Sequence, residues 1–138
     1  MSSIMRKINK IIIHCSATPQ GRDVSVAEIE RWHRARGFSQ IGYHYIISIN
    51  GIIQKGRNIE LAGAHTQGHN ANSIGICYVG GMDAANSKPK DTRTPAQKRA
   101  LKTLVAELRS LYPGASIHGH NEFANKACPS FNVQNESW

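Results

Sequence analysis

Acidic residues are scarce in this chain: 9 Asp and Glu stand against 17 Lys and Arg, for a formal charge of +8 over 138 residues. That balance selects for a polyanionic partner, which leaves nucleic acid, an acidic membrane surface or an anionic cell wall, and charge alone does not choose among them. Cysteine is also sparse. Cys15, Cys77 and Cys128 are odd in number and widely spaced, which argues against a disulfide framework and leaves room for one thiol with a chemical role. Long apolar runs are missing. The start "MSSIMRKINKIIIHCSATP" offers only a three-residue isoleucine block before a histidine, too short for the hydrophobic part of a secretory signal or for a membrane span. The expectation is a protein synthesised in the cytoplasm without a signal peptide and without membrane insertion. There is no internal repeat, low-complexity tract or dividing linker, so residues 1–138 are expected to form a single domain.

The elements that are present follow a clear order. "INKIIIHC", residues 8–15, is short, β-branched and apolar, and reads as a buried strand. In "SVAEIERWHRARG", Ser25 and Glu28 make a capping-box pair, Val26, Ile29 and Trp32 share one side, and Gly37 ends the helix. Trp32 is expected in the core and His33 at its edge. "YHYIISINGIIQKG" places Asn50-Gly51 between two β-rich runs, a hairpin signal. "SIGICYVGG" reads as another buried strand with Cys77 packed inside it, and residues 80–95 as a loop. "TPAQKRALKTLVAELRSLYPG" begins with Thr94 as cap, Pro95 in the first turn and Gln97 closing a second capping box. Leu101, Leu104, Val105, Leu108 and Leu111 fall on its apolar face. "ASIHGH" is a last short strand. The order β-α-β-β-β-α-β predicts an α/β fold, one central mixed sheet of about five strands flanked by helices.

Seven histidines in so short a chain raise the question of a metal. His14 ends the first strand, where sites commonly form, and alternation turns Cys15 to the opposite face as a core thiol. His118 and His120 are two apart on a strand and share a face, so either or both are candidate ligands. Cys128 follows across an irregular loop long enough to turn back to the strand end. A His-His-Cys set with water in the fourth position has the chemistry of an open, catalytic Zn²⁺ site, although spacing alone does not separate it from unconnected polar residues. Lys126, two positions before Cys128, adds a cation where an amide hydrolase needs a donor for developing oxyanion charge. Taken alone it is equally a solvated loop lysine. Tyr43 offers a second donor or proton shuttle, or else a rim aromatic.

The segments "IIIHCSAT", "EIERWHRARGF", "IGYHYIISINGIIQKGR", "GAHTQGHNANSIGICYVGG", "TPAQ" and "NKACPSF" occur in the order found in the phage-lysozyme-like, type 2 N-acetylmuramoyl-L-alanine amidases, relatives of the peptidoglycan recognition proteins. The chain resembles that family from about residue 8 to about residue 131. The resemblance implies a zinc amidase that cuts between the lactyl group of N-acetylmuramic acid and L-alanine, with the zinc site at one edge of the sheet. Residue by residue, it implies His14, His120 and Cys128 as zinc ligands and Tyr43 and Lys126 as catalytic groups. His65, with His69 and Asn70 beside it, falls on the substrate groove, and His118 becomes a groove or surface residue. Asn132 stands where many relatives carry aspartate, and Asn121 where a close relative has histidine; activity is expected to survive both. The implied partner is peptidoglycan or a muropeptide bound by a monomer, reached in the periplasm if the protein is an endolysin. Two other readings compete. Non-catalytic relatives bind peptidoglycan but tend to replace the cysteine that is present here. A nucleic-acid or polymerase partner finds no basic stripe interleaved with aromatics to support it.

Overall fold

The computed structural model describes residues 6–138; residues 1–5 of the basic start lie outside the described residues. Strand β1 (Lys10–Cys15) is the organising element. It lies between β5 (Ser73–Tyr78) and β7 (Ser116–Gly119), parallel to both, with Ile13 opposite Ile76 on one side and Gly119 on the other. Beyond β5, β3 (Tyr45–Ile47) runs parallel to it and pairs antiparallel with β4 (Ile53–Lys55). The sheet order is therefore β4-β3-β5-β1-β7, mixed and five-stranded. Two short strands, β2 (Thr18–Pro19) and β6 (Gly81–Met82), form a separate parallel pair. The second of these, with a bridge from Met82 to Pro89, gives local order to the predicted 80–95 loop.

Because strand side chains alternate, β1 serves two faces. Ile11, Ile13 and Cys15 join Ile74, Ile76 and Tyr78 in the larger core, covered by α2 (Pro95–Leu111) through Leu101, Leu104, Val105 and Leu108. Ile12 and His14 face the other side, where Ile46, Cys77 and Val79 pack with Ile29 of α1 (Val26–Ala35). Each fully buried isoleucine contributes roughly 1.5–3 kcal/mol of transfer free energy. Both helices start as their sequences require. Ser25 and Glu28 exchange cap bonds on α1, and Thr94 and Gln97 do so on α2. Gln97 is also fully buried, and its amide nitrogen donates to the Val79 carbonyl, so one side chain both closes the cap and locks helix to sheet.

Two expectations need correction, and one gains detail. Trp32 is 37% exposed and lies against Arg22, whereas His33 is buried. His33, four residues after Ile29, is the one that shares its inward face. Leu111 is exposed at the last position of α2, and the following Tyr112 packs on the core instead. The hairpin forms, but Asn50-Gly51 lies inside the longer 48–52 connection, in which Ser48 bonds both Gly51 and Ile52.

Candidate metal centre and substrate cleft

His14 is the penultimate residue of β1 and its side chain is buried. β7 ends at Gly119, and His120 opens a single 3₁₀ turn, His120–Glu122. Glu122 builds that turn: one carboxylate oxygen accepts from the Gly119 amide at 2.7 Å, and the other meets His118 Nδ1 at 2.8 Å. His118 is thereby held in a surface contact, while His120 swings to within 4.6 Å of His14, ring centre to ring centre. The strand alternation that linked the two histidines in sequence stops one residue too early to apply.

Cys128 returns to the same point on a loop pinned from several sides. The Tyr78 hydroxyl donates to the Pro129 carbonyl at 2.6 Å, and the Ser130 hydroxyl donates to the Gly81 carbonyl. Arg93 stacks 3.4 Å from the centre of the Phe131 ring while pairing with Asp91 and Glu136. The Cys128 Sγ accepts from the Cys15 amide at 3.2 Å and lies 3.8 Å from His14 Nδ1. One ligand atom from each of His14, His120 and Cys128 lies within 4.8 Å of the other two. A tetrahedral ion with metal–nitrogen bonds of about 2.0–2.1 Å and a metal–sulfur bond of about 2.3 Å needs donors roughly 3.3–3.6 Å apart. Small side-chain adjustments close that gap, so the borderline-soft donor set fits zinc.

Electrostatics favour the same use. Burial first, and then the neighbouring His65, His120 and Lys126, push the His14 pKa well below the usual imidazole range. Burial and Lys126 lower that of His120. Both rings are therefore neutral and have a lone pair to give at neutral pH. Contact with the Cys15 thiol, then burial, raises the Cys128 pKa. A cation is what would offset the cost of ionising it there.

His120 and Cys128 line a cleft of about 680 Å³ that Tyr43, His65, Asn70 and Lys126 also line, with His14 buried behind them. Tyr43 precedes β3 by two residues and its ring centre is 5.1 Å from that of His14. Burial raises its hydroxyl pKa well above the ordinary value, so it keeps its proton. Lys126 is exposed within the cleft wall. His65 is buried behind His14, and His69 is stacked on Phe123 at 4.2 Å. The Asn70 side-chain oxygen accepts from the amides of His65 and Thr66, which shapes the turn between them. The Asn132 side-chain oxygen accepts from the Gln134 amide. Sequence reasoning passed over Arg36 and Thr66, both in the cleft lining. Thr66 was signalled only by adjacency to His65, and Arg36 only by its place at the end of α1.

Residues 5–131 match the family model described as N-acetylmuramoyl-L-alanine amidase. The chain belongs to that family. The endolysin of Klebsiella phage KP32 is 43% identical over 129 residues, covering 94% of this chain and 85% of the phage protein. The N-acetylmuramoyl-L-alanine amidase LysC from Clostridium intestinale URNW superimposes with a TM-score of 0.79 at 28% identity, over 92% of this chain and 79% of LysC. Drosophila PGRP-LB gives a TM-score of 0.76 at 25% identity, over 93% of this chain and 78% of its own. The amidase is thus an enzyme that hydrolyses the muramoyl–L-alanine amide of peptidoglycan, and its fold is shared with the peptidoglycan recognition proteins.

Proposed function

We propose that this amidase is a zinc enzyme of the endolysin type, with His14, His120 and Cys128 as ligands and Lys126 and Tyr43 as catalytic groups. The observation that carries the proposal is the convergence of the three donor atoms within 4.8 Å of one another beside the Lys126 and Tyr43 wall of one cleft. Zinc, when bound, supplies Lewis acidity toward water and toward the scissile carbonyl. The protein groups do the rest. Lys126 donates to the oxygen on which negative charge develops. Tyr43, kept protonated by burial, donates beside it and passes a proton to the departing alanine nitrogen.

The charge of +8 draws the enzyme to a wall that carries carboxylates and other anions. A single domain over 1–138, acting as a monomer on the cell wall after synthesis in the cytoplasm, accommodates these features. No described helix is long and apolar enough to cross a membrane. The test is mass spectrometry of a defined muramoyl-peptide incubated with zinc-loaded or chelator-treated protein. Intact peptide with a free L-alanine amine, formed only with metal, supports the proposal. Cleavage that persists after zinc is removed would refute it.

A further inference from the structure

We infer that His65 is the positioning residue of the metal centre, accepting a hydrogen from His14 Nε2 and so fixing His14 with an unprotonated Nδ1 turned toward Cys128. The inference rests on the ligand set proposed above. His65 Nδ1 lies 2.9 Å from His14 Nε2, while His14 Nδ1 is the atom facing the Cys128 sulfur. The other ring nitrogen of His65 is 3.2 Å from the Ser73 hydroxyl, which is itself fully buried. One assignment of protons fits all three groups: His14 Nε2–H donates to His65 Nδ1, and His65 Nε2–H donates to Ser73 Oγ. The Thr66 hydroxyl lies beside this pair, 3.0 Å from His65 Nδ1 and 3.3 Å from His14 Nε2.

A metal-bound histidine ordinarily gives its second N–H to a carboxylate, a backbone carbonyl or water. Among the described residues here, the buried polar ones include no Asp or Glu, and a second imidazole occupies that place. Both nitrogens of His65 are engaged in the wall, so it acts through His14 and not on the substrate.

The fold makes room for this ring. A β-carbon on Gly75, in the middle of β5, would fall 2.6 Å from Cδ2 of His65, and one on Gly63 would fall 2.5 Å from the same atom. Neither glycine has a positive φ, so backbone freedom does not require them; close approach of the imidazole does. Asn70 sets the entry to the slot through the His65 amide.

The experiment is zinc affinity by chelator competition, with Co²⁺ spectra alongside, for wild type, His14→Ala, His65→Leu, His65→Asn and Gly75→Ala. Asn puts an amide oxygen close to the position of Nδ1 and retains the acceptor. We expect His65→Leu to weaken zinc about 10- to 100-fold, and His65→Asn to stay within a few-fold of wild type with wild-type-like cobalt bands. Gly75→Ala should weaken binding by displacing a chemically unaltered ring. Urea midpoints of the metal-free variants separate loss of fold from loss of metal. Wild-type affinity in His65→Leu would overturn the inference, as would an equal loss in Leu and Asn variants. Undiminished zinc binding by His14→Ala would instead overturn the ligand set.

Discussion

Replacing Lys126 with Ala separates catalysis from metal binding in this site. Lys126 lies in the cleft wall, two residues from Cys128, and its charge is felt at both His14 and His120, whose pKa values it helps to lower. Removing it should therefore make those imidazoles no worse as ligands. Its proposed contribution is to the transition state: an ammonium about 5 Å from a full oxyanion charge interacts by about 3 kcal/mol at an effective dielectric of about 20. At about 1.4 kcal/mol per decade that is a loss of roughly 100-fold in kcat, in the range for losing one oxyanion donor. The assay is steady-state turnover of a soluble muramoyl-peptide, with zinc content of the same samples measured by atomic emission. We expect turnover to fall about 100-fold at full zinc occupancy, and Lys126→Arg to recover part of it. A parallel loss of zinc and turnover would refute the reasoning and make the lysine a structural element of the loop.

Three further outcomes follow from the same geometry. Tyr43→Phe should cut turnover by roughly 10²–10⁴ while leaving zinc bound and the fold intact; a variant with wild-type kcat would remove Tyr43 from the chemistry. His44 is buried, accepts from the Gly75 amide through Nδ1 and donates from Nε2 to the Leu61 carbonyl, with a pKa lowered by burial from 6.5 to about 4. Between those values the unfolded chain holds more protons than the folded one. Stability is therefore complete above about pH 6.5 and drains as pH falls toward about 4, with about 2 kcal/mol gone by pH 5. Equal urea midpoints of metal-free protein at pH 7 and pH 5 would contradict this. Raising salt should weaken sedimentation with purified cell walls before it slows cleavage of a soluble muramoyl-peptide, since steering by net charge is screened and the enclosed chemistry is screened much less.

The elements that were legible in the sequence were those with local causes. The isoleucine block of β1, the two capping boxes and the Asn-Gly hairpin signal each act over a few residues, and all appear in place. Strand order was not legible, because β1 pairs with β5 and β7 across long stretches of chain that carry no local mark of the pairing. The site divides in the same way. Spacing brought His14, His118, His120 and Cys128 forward as candidates, and the family resemblance chose among the histidines. What separates His118 from His120 physically is the Glu122 turn that ends β7, a tertiary detail. The exchange of Trp32 and His33 has a related origin. Hydrophobicity favoured the tryptophan, whereas helical phase relative to Ile29 and the Gly42 amide, which donates to His33 Nδ1 at 2.8 Å, favoured the histidine.

The central place of β1 also governs how the protein acquires its structure. Lys10–Cys15 is made early in the chain, yet its neighbours on the two sides begin at Ser73 and Ser116. Until those segments arrive, "IIIHC" is an unpaired, β-branched apolar strand, the kind of segment that self-associates. Contacts this distant in sequence carry a large loop-closure cost before they repay it, so refolding should be slow for a domain of this size and sensitive to protein concentration. Lys7 and Lys10, exposed and half-buried beside the isoleucines, are placed to act as charged gatekeepers during that interval. The strand that carries the proposed ligand His14 at the heart of the sheet is then also the segment most in need of protection on the way there.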